Sequence, residues 1–260
     1  MNNRITALFK KKKNNILSVF YTAGFPSLES TVPIAKYLER AGADMIEIGI
    51  PFSDPVADGP TIQESNKVAL ANGMNLHLIV EQVKTIRKET TDLPIILMGY
   101  LNPVMQYGMG KFIKDAADAG VDGLILPDMP LYEYEEDLKD LFEAEGLSNT
   151  FLISPTTSEE RIRKIDDATR GFVYAVSASS TTGAKGTFKE EQLSYFKRLQ
   201  QMKLKNPCLI GFGISNHETF SVASQYAAGA IVGSAFINLL KTTTDPEKDI
   251  SIFVKSLKAT

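Results

Sequence analysis

Eight short apolar runs recur along the chain, and the segments between them constrain the fold more than any other feature. The runs are ILSVFYTA (16–23), MIEIGI (45–50), PIILMGY (94–100), DGLILP (122–127), NTFLIS (149–154), FVYAVS (172–177), PCLIGFG (207–213) and GAIVGSA (229–235). Continuous apolar strands of this length suit a parallel sheet covered on both faces. The intervening segments have helical period. In TVPIAKYLERAG, Val32, Ala35, Leu38 and Ala41 keep one face apolar. The same holds for LHLIVEQVKTIRKE, MGKFIKDAADAG, YEEDLKDLFEAEG, SEERIRKIDDAT, KEEQLSYFKRLQQM, ETFSVASQYAAG and EKDISIFVKSLKA. Thr157 with Glu160, and Ser215 with Glu218, have capping-box spacing. Gly42, Gly120, Gly146 and Gly229 follow helical runs, as glycines just past a helix end do. AGAD (41–44), AGVD (119–122) and AGAI (228–231) form a weak repeat that closes a helix ahead of a strand. Eight strands alternating with helices predict an α/β chain folded as a (β/α)8 TIM barrel with an extra N-terminal helix. A doubly wound open sheet is the alternative topology. No linker or composition break divides residues 1–260, which read as one domain.

Charge and cysteine use narrow the partners. The net charge of −3 offers no broad basic field for nucleic acid. The single cysteine, Cys208, lies in an apolar run and cannot form an internal disulfide; it reads as a small buried hydrophobe. The start, MNNRITALFKKKKNN, has its basic residues after a short apolar patch, unlike a secretory signal, and Lys10 to Lys13 read as the solvated end of a first helix. No apolar run reaches the length of a membrane span, so a cytoplasmic enzyme is expected.

In a barrel, chemistry gathers at the C-terminal ends of the strands. Side chains alternate faces along a strand, so Met45, Glu47 and Gly49 should point into the barrel and Ile46, Ile48 and Ile50 toward the helices. A carboxyl buried there should have a raised pKa, as suits general acid–base work or an internal structural hydrogen bond. The loop PFSDPVADGP follows, and it is long enough to return Asp58 toward Glu47. On their own, Asp54-Pro55 and Asp58-Gly59 are turn dipeptides. The seventh run ends in GFGIS, with Gly211 and Gly213, and the eighth in GSAF, with Gly233 and Ser234 opening a short helix. Glycine backbone and a helix N-terminus at these places make a phosphate cradle. SASSTTGAKGTF after the sixth run carries Gly183 and Gly186 and reads as a lid. Phe20, Tyr100 and Tyr174 supply aromatic lining. His77 and His217 have no metal-ligand spacing and read as surface groups. Two carboxylates facing a phosphate cradle suit acid–base cleavage or isomerisation of a phosphorylated substrate with an apolar part, with no metal.

IEIGIPFSDPVADGPTIQ closely resembles the signature of the tryptophan synthase alpha subunit family. FYTAGFP, GYLNPV, GVDGLILPDMP, GFGIS and GSAF extend the resemblance over nearly the whole chain. It implies a (β/α)8 barrel that cleaves indole-3-glycerol phosphate to indole and glyceraldehyde 3-phosphate. Glu47 and Asp58 match the family's catalytic carboxylates. Phe20, Ile62, Met98, Ile125 and Tyr174 match positions that pack the indole or support the site. Gly183, Gly213, Gly233 and Ser234 match its phosphate-binding backbone, and Thr182 a lid threonine. Ser180 stands where the family's lid usually has glycine, which puts lid behaviour in question. Asp54, Pro55, Asn102 and Pro103 match the surface that faces a beta subunit, which carries pyridoxal phosphate; this chain is expected to bind no cofactor. Competing readings are a lyase that works without a beta partner, a different phosphate-binding barrel, and a non-catalytic barrel that keeps only partner binding.

Overall fold

The computed structural model describes residues 3–177 and 187–259. Nine parallel strands run β1 Ile16–Thr22, β2 Met45–Gly49, β3 Ile95–Met98, β4 Gly123–Ile125, β5 Ser148–Asn149, β6 Leu152–Ile153, β7 Val173–Val176, β8 Cys208–Gly211 and β9 Gly229–Val232. Their order in the sheet is β5-β4-β3-β2-β1-β9-β8-β7-β6. The two ends of that order are β5, which runs into the fifth apolar run at Asn149, and β6, which lies inside it. The first pairs with β4 and the second with β7, so the run closes the sheet into a barrel. The fold is therefore the eightfold (β/α) barrel, with the fifth strand split at Thr150 and Phe151.

Alternation along β2 follows the pleat. Met45 joins an interior cluster with Ile16, Ile96, Ile125, Tyr174, Leu209 and Ile231. Ile46, Ile48 and Ile50 belong to the larger cluster between sheet and helices. The N-terminal helix, Arg4–Lys11, sends Ile5 and Phe9 into the interior cluster, with Phe9 packed on Phe172 at 5.9 Å between centroids. This helix stoppers the end of the barrel where the strands begin. Lys10 and Lys11 form its last turn, as cations near a C-terminal dipole should. Lys12 is not merely solvated, because it pairs with Asp44 at 2.8 Å.

Some local expectations shift. The caps lie one residue later than their spacing suggested. Ser158 and Asn216 accept the amide hydrogens, from Arg161 and Thr219 respectively, while Thr157 instead accepts from Ser154. Gly42, Gly120 and Gly146 adopt positive φ past helix ends. Gly229 does not. It opens β9, where a β-carbon would lie 2.0 Å from the Ile16 carbonyl oxygen, so close strand approach requires the glycine there. Two helices, Pro60–Ala71 and Leu101–Tyr107, were not apparent as apolar stripes. The first buries Ser65 and Asn66 beside Ile62 and Ala69, which blurs its period. The second is two turns long and carries Pro103 near its start. Among the described residues no helix is long and apolar enough to cross a membrane.

Candidate active site

Glu47 lies on the inner face of β2, two residues before that strand's last residue, with none of its surface exposed. Among the described residues its carboxyl accepts one hydrogen bond, from Ser18 Oγ to Oε1 at 2.7 Å, and Oε2 has no partner. Burial drives its pKa up to about 7, against a smaller opposing pull from the Ser18 hydroxyl. A carboxyl so placed holds and releases a proton near neutrality.

Asp58 ends the loop between β2 and the helix Pro60–Ala71. The loop is tied by its own turns, Val56 N to Asp54 O at 2.9 Å and Asp58 N to Pro55 O at 3.1 Å. Tyr100, just past β3, fastens the loop from the side. Its hydroxyl donates to Asp58 Oδ2 at 3.0 Å and accepts from Ala57 N at 3.0 Å. Its ring packs on Phe52 at 5.3 Å between centroids. The expected lining residue is thus also the loop's anchor. Burial pushes the Asp58 pKa up to about 6, partly offset by the Tyr100 hydroxyl. At neutral pH the carboxyl remains mostly ionised.

Tyr174, on the inner face of β7, lies within electrostatic reach of both carboxyls. Burial first, then the charges of Glu47 and Asp58, hold its hydroxyl well above the ordinary tyrosine range. The hydroxyl lies over Gly211, where a β-carbon would come within 2.2 Å of it. Gly211 therefore makes room for Tyr174, a reason distinct from a phosphate contact. Met98 and Ile125 end β3 and β4 toward the same interior, Met98 packing against the cluster that contains Ile125. Ile62 is buried in the first turn of the helix after the Asp58 loop.

Phe20, on β1, lies between the two halves of the site. Its ring fills the space beside Gly49, where a β-carbon would lie 2.5 Å from Cζ, and its Cδ1 is 3.5 Å from the corresponding point at Gly233. Gly233 caps the helix Ser234–Thr242, whose exposed first residue presents the helix N-terminus. Gly213 has φ of +75° and follows Phe212, also at positive φ, whose carbonyl accepts from Ser177 Oγ at 2.7 Å. Backbone N–H groups at such turns and at a helix start can hold a phosphate. Ser180, Thr182, Gly183 and Gly186 lie outside the described residues.

The remaining candidates lie elsewhere. Asp54 and Asn102 are exposed, beside half-buried Pro55 and Pro103. His77 stacks on Tyr107 at 4.4 Å between centroids, and His217 Nδ1 meets the Leu257 carbonyl at 3.0 Å. The Cys208 thiol is pushed up to about 12 by burial. Among the described residues no cluster of His, Cys, Asp or Glu is arranged to hold a metal ion. Two supporting residues escaped sequence reasoning. Ser18 is a polar residue at an inward position of an apolar run, and that interruption was its visible signal. Asp128 accepts from Leu101 N at 2.9 Å and so caps the helix behind Tyr100.

A family model described as tryptophan synthase alpha chain matches residues 6–259. The chain is 51% identical over 256 residues to the tryptophan synthase alpha chain of Parabacteroides distasonis, covering 98% of this chain and 99% of that one. The fold is similar to the crystal structure of the tryptophan synthase alpha chain from Legionella pneumophila subsp. pneumophila, with a TM-score of 0.88 at 35% identity, covering 99% of this chain and 97% of that one. It also matches a chain of Mycobacterium tuberculosis tryptophan synthase, with a TM-score of 0.89 at 30% identity, covering 100% of this chain and 98% of that one.

Proposed function

The chain belongs to the tryptophan synthase alpha chain family, and from that premise we propose that it cleaves indole-3-glycerol phosphate by retro-aldol chemistry with Glu47 and Asp58 as its catalytic residues. The observation that carries the assignment is Glu47 itself, fully buried, with a pKa of about 7 and one oxygen unpartnered among the described residues.

The proton account closes on that one residue. Protonated Glu47 gives its proton to indole C3, leaving a cationic ring. Asp58, mostly ionised, accepts a hydrogen bond from the ring N–H and stabilises the positive charge. The Glu47 carboxylate then takes the proton of the side-chain hydroxyl beside C3. The O–H electrons form the new carbonyl, the C–C bond breaks, and its electrons return to the ring. Indole and glyceraldehyde 3-phosphate leave, and Glu47 is protonated again. A carboxyl whose pKa lies near the working pH is populated in both protonation states, as a group that acts first as acid and then as base requires.

Phe20, Ile62, Met98, Ile125 and Tyr174 pack the apolar indole in this reading. The backbone at Gly183, Gly213, Gly233 and Ser234 holds the phosphate, Gly211 leaves the space that Tyr174 fills against the substrate, and Thr182 closes the lid. Gly233→Asp puts a negative charge at the cradle, where a β-carbon meets nothing closer than Phe20 at 3.5 Å. Affinity for glycerol 3-phosphate should fall at least tenfold, roughly the size of one unfavourable charge contact near a surface. Unchanged affinity by calorimetry would remove the cradle from this place.

The whole of residues 1–260 acts as one cytoplasmic domain that passes indole to a beta subunit, and pyridoxal phosphate is carried by that partner alone. Asp54, Pro55, Asn102 and Pro103 form the surface offered to it. Support comes from the large apolar side chains beside them, Val56 at 89% exposure and Met105 at 63%. The deciding measurement is indole release from indole-3-glycerol phosphate, alone and with a tryptophan synthase beta subunit. Release that the beta subunit accelerates supports both parts of the proposal. Release without acceleration removes the partner surface, and folded protein that releases no indole removes the reaction.

A further inference from the structure

Ser18 is wholly buried on the inner face of β1, and the family motifs quoted above do not include it. β1 and β2 pair in parallel with Ser18 opposite Met45 and Phe20 opposite Glu47, so the Ser18 hydroxyl reaches Glu47 from the neighbouring strand. It meets Oε1 at 2.7 Å, while Oε2 has no partner among the described residues. We propose that Ser18 is a positioning residue for the proton transfer, holding Glu47 by Oε1 so that Oε2 is the oxygen that exchanges the proton with substrate. This rests on Glu47 being the acid–base group of the reaction.

The terminal torsion of a glutamate is broad, and a carboxyl without a tether samples many orientations. A hydroxyl donor on one oxygen removes that freedom. The tether also survives the chemistry. Oε1 accepts whether Glu47 is ionised or carries its proton on Oε2, so Ser18 need not rotate between the two transfers. The bond is stronger to the ionised form, which keeps Glu47 from becoming too weak an acid in so dry a place. Among the described residues no cation is paired with Glu47 to do that work. Within that set Tyr174 from β7 feels the charge of Glu47 and also that of Asp58 from the loop after β2, while the neighbouring strands present Ile96 and Met98 from β3 and Ile231 from β9.

The test uses the full chain with Ser18→Ala and Ser18→Thr. The Glu47 carboxyl is titrated by carbon-13 NMR, with its signal identified by loss in Glu47→Gln, and kcat and KM for indole release are measured against pH. Ser18→Ala should raise the Glu47 pKa by about one unit and lower kcat about tenfold, the scale of one hydrogen bond to a charged group. KM should change less than about twofold, because positioning acts on the transition state rather than on binding. The high-pH limb of the profile should move up with the pKa. Ser18→Thr keeps the hydroxyl and should restore the wild-type titration; if its methyl disturbs the interior, Ser18→Cys should lie between. A wild-type pKa and kcat in Ser18→Ala overturns the inference, as does an equal fall in kcat for Ala and Thr with no pKa change. Wild-type protein that titrates as expected but releases no indole overturns the reaction assignment instead.

Discussion

Carboxylates stand at both ends of this barrel, and the two ends treat them in opposite ways. Where the strands begin, Asp44 accepts from Lys12 at 2.8 Å, from Lys258 at 2.7 Å and from Leu17 N at 2.9 Å. Asp122, 2% exposed, takes Arg4 at 3.0 Å, Arg87 at 2.6 Å and Ile95 N at 2.9 Å. Asp166 takes the amides of Lys205 and Asn206 at 2.7 and 2.9 Å. Each ties the start of a strand to the chain around it. Where the strands end, Glu47 and Asp58 have, among the described residues, one side-chain donor each and no ion pair. Saturated carboxylates hold the barrel closed, and undersaturated ones keep a pKa near neutrality. A fold can therefore carry stability at one end and chemistry at the other without the two demands meeting on one residue.

That contrast can be broken from either side. The largest expected effect is Glu47→Gln, which should cut indole release about 1000-fold, within the range for loss of a general acid–base group, while the protein stays folded by circular dichroism. Next, Asp122→Ala should destabilise the fold by about 3 kcal/mol in urea, because Arg87 is left as a buried charge without its partner. Its kcat below the melting transition should hold within about twofold, and a large loss of kcat would show that the two ends are coupled.

A third effect has the opposite sign. The folded pKa of Glu47, about 7, lies above its unfolded value of 4.5. The stability this group confers is fully present below pH 4.5 and is lost as pH rises through 7. Glu47→Gln should therefore be the more stable protein at pH 8, by up to about 3 kcal/mol, with the advantage gone near pH 4.5. Melting curves across that interval check it, and a constant difference would mean Glu47 is not strained by burial. The smallest effect is Tyr100→Phe. It removes the donor to Asp58 and the acceptor for Ala57 N, worth about 1 kcal/mol each in hydrogen bonding. A fall in kcat/KM of about tenfold is expected, with a melting temperature lower by only a few degrees, since the bonds fix a surface loop.

Much of this was legible along the chain. The eight runs named the strands, the split of the fifth excepted, because apolar continuity is local and survives without knowledge of neighbours. The inward register of Glu47 followed from a period of two. The helix Pro60–Ala71 was hidden because its buried face is partly polar, with Ser65 bonded to Thr22 at 2.7 Å across to β1. Ser18 was hidden for a related reason, since one serine in an apolar strand has meaning only beside its partner.

The sequence by itself determined which residues are buried in strands, which helices flank them, and that a carboxyl must face inward at position 47. Those are properties of spacing, and spacing is written along the chain. The tertiary structure alone decided that Oε1 of that carboxyl meets Ser18 while Oε2 has no hydrogen-bond partner among the described residues, that Tyr100 ties Asp58 down, and that Gly211 yields its side-chain space to Tyr174. Those depend on distances between residues 29, 42 and 37 positions apart in the chain. Closing the sheet on itself fixes such distances, and no pattern along a single strand encodes them.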